Sequence, residues 1–246
     1  MKSLALLFAK GFSILKLGKV LTTGGTMLLS VFTYALVFGW RYAVGFVALL
    51  FAHEMGHYLA AIQRGLPVGA PIFIPFVGAW IELKKQPHDA ETEAYVGIAG
   101  PVVGTLAALG CYFLARVWDS DLLLALAYSG FFLNLFNLIP LSPFDGGRIT
   151  AVISPRIWLL GVPMLIALFC YRPSPLLVLM AFVAAPQVIK AFRYDPNAPE
   201  NQSYYGATVR TRFEYAAYYL LLAGFLAVIA YDVHEMLDAV RVTGRS

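Results

Sequence analysis

Two histidines and a glutamate stand close together in the segment His53-Glu54-Met55-Gly56-His57. Side chains four residues apart share one face of a helix, so His53 and His57 can bind one zinc ion. Glu54 can then reach a water on that metal as a general base. Such a short motif also arises by chance, as two hydrogen-bonded histidines on a helix face. Here it lies within an apolar membrane-length stretch, where ionisable residues are costly and a functional site is the default interpretation.

A third zinc ligand is expected elsewhere, because a catalytic zinc usually has three protein ligands and one position open to water. Asp145 fits best, since it ends a charge-free stretch, follows Pro140 and Pro143, and precedes Gly146 and Gly147. The backbone there is predicted to be bent and accessible. The alternative is an ordinary aspartate in a Pro-x-Asp-Gly turn. The histidine motif decides in favour of a ligand.

The composition indicates an integral membrane protein. The 246 residues are 60% hydrophobic and 13% charged, with a mean hydropathy of +0.72, whereas a soluble domain has about 25% charged residues. A helix needs about 20 apolar residues to cross the hydrocarbon core. Up to seven crossings are predicted, at about 20–40, 42–63, 94–115, 122–144, 157–171, 173–189 and 215–231. The fifth and sixth are short, and form either two tight crossings or one helical hairpin that enters and returns.

The distribution of Lys and Arg predicts a cytoplasmic N-terminus. Alternate loops place 13 of the 18 basic residues on one side and 5 on the other, and basic loops stay in the cytoplasm. The basic segment 1–19 is either an amphipathic helix on the cytoplasmic face or a short tail that fixes topology. The predicted regions are this segment, a catalytic membrane core over 20–155 and a C-terminal transmembrane region over 156–246 with a polar cytoplasmic loop, 193–212. We expect the cell membrane of a prokaryote.

An apolar segment rich in proline, 66–82, separates the second and third predicted crossings. Prolines at this density exclude a regular helix, so extended strands around turns are expected. Irregular backbone at membrane depth is tolerated only where protein buries it or a wet cavity borders it. We therefore predict a re-entrant, β-like hairpin near the active site, with a surface loop in the headgroups as the alternative.

Neither the net charge nor the cysteines point to another class of protein. The charge is +4, but the basic residues are scattered and form no patch with interleaved aromatics, so no nucleic acid partner is expected. Cys111 and Cys170 lie in apolar runs and form neither a ligand pattern nor a disulfide framework. No feature of the sequence assigns an oligomeric state.

The chain resembles the site-2 proteases, a family of intramembrane zinc metalloproteases related to peptidase family M50. Two motifs carry the resemblance, residues 53–57 and the run from Asn137 through Pro140 and Pro143 to Asp145-Gly146-Gly147; a weaker likeness is Ala99-Gly100-Pro101. Their order and separation match over roughly residues 40–155. Ser142 and Phe144 replace the common proline and leucine, but neither is a predicted ligand.

The resemblance implies an all-α polytopic fold with about six to seven transmembrane helices and the re-entrant hairpin. It implies that His53, His57 and Asp145 bind Zn²⁺, that Glu54 is the catalytic base, and that Asn137 lies near the site to hold the substrate or the oxyanion. The implied activity is hydrolysis of peptide bonds in membrane-anchored substrates, transmembrane proteins or peptides, within or near the lipid bilayer. The alternatives are a membrane zinc transporter, which would show further ligands along a path, and an inactive protease-like scaffold.

Overall fold

A computed structural model describes residues 21–243, through the backbone alone at 82–83 and 241–243. The predicted N-terminal segment 1–19 lies outside the described residues. The described residues are mostly helical, with one two-stranded sheet. The helices are α1 (Leu21–Phe38), α2 (Trp40–Gln63), α3 (Ala90–Trp118), α4 (Asp121–Asn137), α5 (Asp145–Ala151), α6 (Gly161–Tyr171), α7 (Pro175–Phe192), α8 (Pro199–Tyr205) and α9 (Val209–Thr243). The strands are β1 (Val68–Ile74) and β2 (Gly78–Leu83), and a 3-10 helix (Pro155–Leu160) precedes α6.

Within residues 21–243, five helices are long and apolar enough to cross a membrane: α1, α2, α3, α7 and α9. The apolar helices α4 and Pro155–Tyr171 are shorter. Each predicted crossing contains a helix, but two boundaries differ from the prediction. The stretch predicted to cross at 122–144 stops being helical at Asn137, ahead of two helix-breaking prolines. The last helix is much longer than the predicted 215–231.

The proline-rich segment forms an antiparallel hairpin, as the sequence predicted. Ile72 pairs with Trp80 and Ile74 with Gly78. Two residues at this end of the hairpin have positive φ: Phe76 in the turn, at 61°, and Gly78, the first residue of β2, at 128°. A backbone of this kind favours glycine, so Gly78 fits the point where β2 begins.

Helix α1 covers the outer edge of β1. Thr23 Oγ1 donates to the carbonyl oxygen of Pro71 at 2.9 Å, and Thr26 Oγ1 accepts from the Phe73 amide at 3.2 Å. The Tyr34 hydroxyl accepts from the Phe76 amide at 3.0 Å. Backbone amide and carbonyl groups that point away from the paired strand need other hydrogen-bond partners when they are buried. The threonines therefore replace a third strand at this edge.

The two helices α1 and α2 are joined by a single residue, Gly39, at φ 83°. Few residues other than glycine adopt this conformation. The chain then turns back closely enough to bring the rings of Tyr34 and Phe46 to 5.2 Å between centroids. This turn sets α2, which carries the histidine motif, next to the hairpin.

Helix α3 is the centre of the packing, since it contacts α2, α4, α5 and α9. Its Pro101 lies inside the helix and is buried. The largest hydrophobic core lies between α3, α4, α5 and α9, where Phe131, Ile149 and Leu226 are fully buried. Helix α2, with His53 and His57, and helix α5, with Asp145, are thus both packed against α3.

Candidate metal centre

The histidine motif is buried on the face of α2 that meets α3. His53, Glu54 and His57 are 3%, 7% and 7% exposed. Two glycines make the helix contact possible. A Cβ atom on Gly56 would collide with the carbonyl oxygen of Ala99, and a Cβ on Gly100 would collide with the His57 imidazole. Gly56 of the histidine motif and Gly100 of the segment Ala99-Gly100-Pro101 therefore allow α3 to pack against the histidines.

Asp145 begins α5, directly after the proline loop 138–144 that follows α4. The loop folds back over the start of α5, so that side chains are excluded at the next two positions. A Cβ atom on Gly146 would collide with the carbonyl oxygen of Leu138, and one on Gly147 with the amide of Ser142. The bent backbone expected from the sequence is present, and it turns the Asp145 carboxylate towards α2.

Three side-chain atoms converge at one point. Asp145 Oδ2 lies 3.1 Å from His53 Nε2 and 3.2 Å from His57 Nε2. The two Nε2 atoms lie 3.1 Å apart. Among the described residues 21–243, this is the one group of three or more His, Cys, Asp or Glu side chains arranged to hold a metal ion. Residues that are 92 and 88 positions apart in the chain meet here.

The outer nitrogen of each imidazole has a fixed partner. His57 Nδ1 lies 2.8 Å from the carbonyl oxygen of Val96, and His53 Nδ1 lies 2.8 Å from Oδ1 of Asn134. Both partners are hydrogen-bond acceptors, so in the neutral imidazole each Nδ1 carries the hydrogen and each Nε2 presents a lone pair. The lone pairs of two nitrogens and a carboxylate oxygen therefore face one another.

A divalent cation suits this donor set. Three lone-pair atoms at such short separations repel one another unless a positive charge lies between them. Zn²⁺ binds His nitrogen and carboxylate oxygen at about 2.0–2.2 Å, which places neighbouring ligands of a tetrahedral site about 3.3 Å apart. The observed separations of 3.1 and 3.2 Å are close to this value. Three ligands leave the fourth position open, which is typical of catalytic rather than structural sites.

The second oxygen of Asp145 faces a polar network on the far side. Its Oδ1 lies 3.8 Å from Arg148 Nη1, and Arg148 Nε lies 4.0 Å from Glu93 Oε1. The Tyr204 hydroxyl donates to Glu93 Oε2 at 2.7 Å. Burial, and next the neighbouring Glu93 carboxylate, raise the pKa of Tyr204, so Tyr204 stays a neutral donor at physiological pH. Helix α8 is attached in this way to the surroundings of the metal group.

The C-terminal region holds the loop and helix that carry Asp145. The Tyr219 hydroxyl of α9 donates to the carbonyl oxygen of Leu138 at 2.7 Å. The indole of Trp158 donates to the carbonyl oxygen of Gly147 at 2.8 Å. Both carbonyls lie within the proline loop or the first turn of α5, so residues after 156 position a predicted ligand. The sequence did not indicate this role.

The predicted site residues do not all lie in one cluster. Glu54 follows His53 directly in α2 and is buried with it, and within the described residues its carboxylate has no hydrogen-bond partner. Asn137 donates from Nδ2 to the carbonyl oxygen of Leu133 at 3.1 Å, and no contact within residues 21–243 joins it to the three clustered residues. Its role in holding substrate remains a prediction.

Asn134 was missed by the sequence reasoning, although it contacts His53. The available signal was a second amide one turn before Asn137, in an apolar membrane-length stretch where polar groups are expensive. The other two histidines, His88 and His234, have side chains 69% and 45% exposed and lie outside the group.

The chain is similar to known metalloproteases over its first half. Residues 41–119 match the model of peptidase family M50. A zinc metalloprotease of Methanocaldococcus jannaschii is 32% identical over 120 residues, which cover 46% of this chain and 34% of that protein. "Probable zinc metalloprotease EGY1, chloroplastic" of Arabidopsis thaliana is 31% identical over 75 residues, which cover 28% of this chain and 14% of that protein. The chain thus spans about a third or less of the length of these curated relatives.

Among solved structures, the site-2 protease from Methanocaldococcus jannaschii aligns with a TM-score of 0.45 and 22% identity, over 68% of this chain and 85% of that chain. The apolar helices and the matched segment define an integral membrane protein with a buried group of two histidines and an aspartate. The family model and the curated relatives confirm the family resemblance found in the motifs, and the match to peptidase family M50 extends over residues 41–119.

Proposed function

We propose that the protein is an intramembrane zinc metalloendopeptidase that hydrolyses peptide bonds of membrane-anchored proteins within or near the bilayer. The observation that carries the proposal is the convergence of His53, His57 and Asp145, with the buried Glu54 adjacent to His53 in α2. The names of the relatives as zinc metalloproteases support the same chemistry. A transporter would require further ligands along a path, and the described residues hold one such group.

Each residue of the group has a role in this proposal. His53, His57 and Asp145 would hold zinc, which, when bound, supplies a water with a pKa of about 7. Glu54 accepts the proton of the attacking water and delivers it to the leaving amine. Burial of all four side chains excludes bulk water, and so strengthens the electrostatic interactions on which proton transfer depends. Asn137 is proposed to hold the substrate or the oxyanion.

The hairpin is proposed to bind the substrate in an extended form. A helical substrate hides its carbonyl groups in hydrogen bonds, so it must unwind before cleavage, and an unwound segment can add to a sheet edge. Two threonine hydroxyls of α1 already occupy the outer edge of β1. The edge of β2 is therefore the one proposed to pair with substrate. Replacement of Pro75 and Gly78 should impair cleavage, and intact cleavage would count against this binding mode.

The proposed orientation places the N-terminus in the cytoplasm of a prokaryotic cell. The excess of basic residues in the loops on that side supports it. Residues 20–155 then form the catalytic membrane core, and 156–246 the C-terminal transmembrane region. The hydrogen bonds from Trp158 and Tyr219 to the Asp145 region support the joint action of these two parts.

The test compares purified wild type with Glu54→Gln, which keeps the side-chain shape and removes the base. Zinc content is measured together with cleavage of a generic single-span membrane protein. We expect both proteins to bind about one zinc and cleavage to fall by about 10²–10⁴-fold in the variant, the range for loss of general acid–base catalysis. Zinc-free wild type would contradict the proposal. If both bind zinc and neither cleaves, metal flux into vesicles tests the transporter.

A further inference from the structure

We infer that Asn134 is a positioning residue for the metal centre, which holds the His53 imidazole in the orientation and tautomer that bind a metal ion. The inference rests on the proposed function, since it concerns the same site. Its basis is the 2.8 Å contact between Asn134 Oδ1 and His53 Nδ1. These two residues are 81 positions apart, on α4 and α2.

The orientation of the Asn134 amide is fixed by a second contact. Its Nδ2 donates to the carbonyl oxygen of Gly130 at 2.7 Å. A carbonyl oxygen can only accept, so the nitrogen of the amide must face Gly130 and the oxygen must face His53. With an acceptor on Nδ1, the imidazole carries its hydrogen there and leaves the Nε2 lone pair for the metal.

The burial of Asn134 shows that this contact is built into the packing. The residue is 1% exposed, in an apolar helix. A buried amide is costly unless both of its ends are hydrogen-bonded, and here both are. The cost is therefore offset only while His53 keeps its observed rotamer, so that the packing of α4 favours a single position of the imidazole.

Space for the amide comes from Gly104 of α3. A Cβ atom on Gly104 would collide with Asn134 Oδ1 and lie 2.8 Å from Nδ2. Three helices thus meet at one hydrogen bond: α2 supplies the imidazole, α4 the amide and α3 the room for it. The glycine offers a way to disturb Asn134 without removing it.

The two histidines differ in a way that makes the inference testable. The partner of His57 is the backbone carbonyl of Val96, which no side-chain substitution removes. The partner of His53 is a side chain. Replacement of Asn134 should therefore affect one ligand and leave the support of the other in place.

The experiment measures zinc affinity of the full-length protein by competition with a chelator, together with the visible spectrum of the cobalt-substituted protein. Asn134→Leu is nearly isosteric and lacks the acceptor. We expect it to bind zinc about 10–100-fold more weakly, the usual effect of losing the hydrogen-bond partner of a metal-bound histidine, and to shift the cobalt spectrum. Asn134→Asp retains an acceptor for His53 and should bind zinc more tightly than Asn134→Leu.

A pair of glycine variants keeps the test valid if Asn134→Leu does not fold. Gly104→Ala should weaken zinc binding and shift the cobalt spectrum, because it displaces the amide. Gly110→Ala is the matched control on the same helix, where an added Cβ meets nothing within 4 Å, and its zinc affinity should equal that of wild type. If wild type binds no zinc, the proposed function fails, and the inference with it. If wild type binds zinc and Asn134→Leu or Gly104→Ala keeps its affinity and cobalt spectrum, only the inference is overturned.

Discussion

Around the metal centre, helices α2 and α3 approach each other closely at glycine, whereas the hairpin meets α1 through hydroxyl groups and through the apolar cluster of Tyr34 and Phe73. Gly56 and Gly100 allow contacts so close that no Cβ atom fits. At the hairpin, Thr23 and Thr26 bond to the edge of β1, and large side chains remain open. Among the latter, Phe76 and Trp80 are 50% and 67% exposed.

The two regions therefore differ in how far a substitution at one residue displaces its neighbours. Close-packed interiors transmit small volume changes to their neighbours, and in the centre those neighbours are the ligands themselves. Separation of β1 from α1 would cost a few hydrogen bonds and the packing of Phe73 in its apolar cluster. Under the proposed function, chemistry belongs to the rigid region around the metal centre, and substrate binding to the hairpin, at the edge of β2.

The strongest test of the rigid region is removal of the carboxylate from the ligand set. Asp145→Asn replaces a charged ligand by a neutral amide of the same shape, leaving two imidazoles. We expect zinc affinity to fall by more than the roughly 10–100-fold that is lost when a hydrogen-bond partner of a metal-bound histidine is removed, while the protein still inserts in the membrane. Zinc content by metal analysis and the yield of detergent-soluble protein measure the two effects.

A matched control for Asp145→Asn is Asp119→Asn. Asp119 is exposed at the end of α3, at φ 48°, a conformation that asparagine tolerates well. Its zinc content should equal that of wild type. Zinc retained in Asp145→Asn would remove this aspartate from the ligand set and return the third position to another side chain.

A smaller effect is expected from Gly100→Ala, which tests whether the glycine contact positions a ligand. The new methyl group collides with the His57 imidazole, so the ring must turn away from its contact with Val96. Overpacking of this kind costs about 1–3 kcal/mol of stability, and we expect weaker zinc binding as well. Chelator competition and thermal unfolding in detergent measure both quantities. Equal zinc affinity in Gly100→Ala and wild type would show that the glycine serves helix packing alone.

The candidate ligand residues could be singled out from sequence because the signals that mark them are local. His53 and His57 share a helix turn, and Asp145 stands at a break that its own prolines and glycines create. The hairpin was predicted for the same reason, since proline density excludes a helix wherever it occurs. These signals depend on neighbours in the chain and do not require knowledge of the packing.

The supporting contacts could not be predicted because they join distant parts of the chain. Asn134 lies 81 residues from His53, and Tyr219 lies 81 residues from Leu138. Asn137 belongs to a recognisable motif, whereas Asn134, one turn earlier, becomes conspicuous only when α2 and α4 are packed. The helical break at Asn137 was also missed as a boundary, since apolarity alone cannot distinguish a helix from a buried proline loop.

The smallest expected effect belongs to the hairpin, and it sharpens the contrast with the centre. Thr26→Val removes the acceptor of the Phe73 amide and keeps the side-chain shape. A single hydrogen bond contributes about 0.5–1.5 kcal/mol, so hydrogen exchange at Phe73 should accelerate by about tenfold, while zinc affinity stays at the wild-type value. Thr33→Val is the control, because the Thr33 hydroxyl bonds only within α1, to Leu29. A loss of zinc affinity in Thr26→Val would mean that the hairpin edge and the metal centre are coupled, and the division of the molecule into these two regions would be wrong.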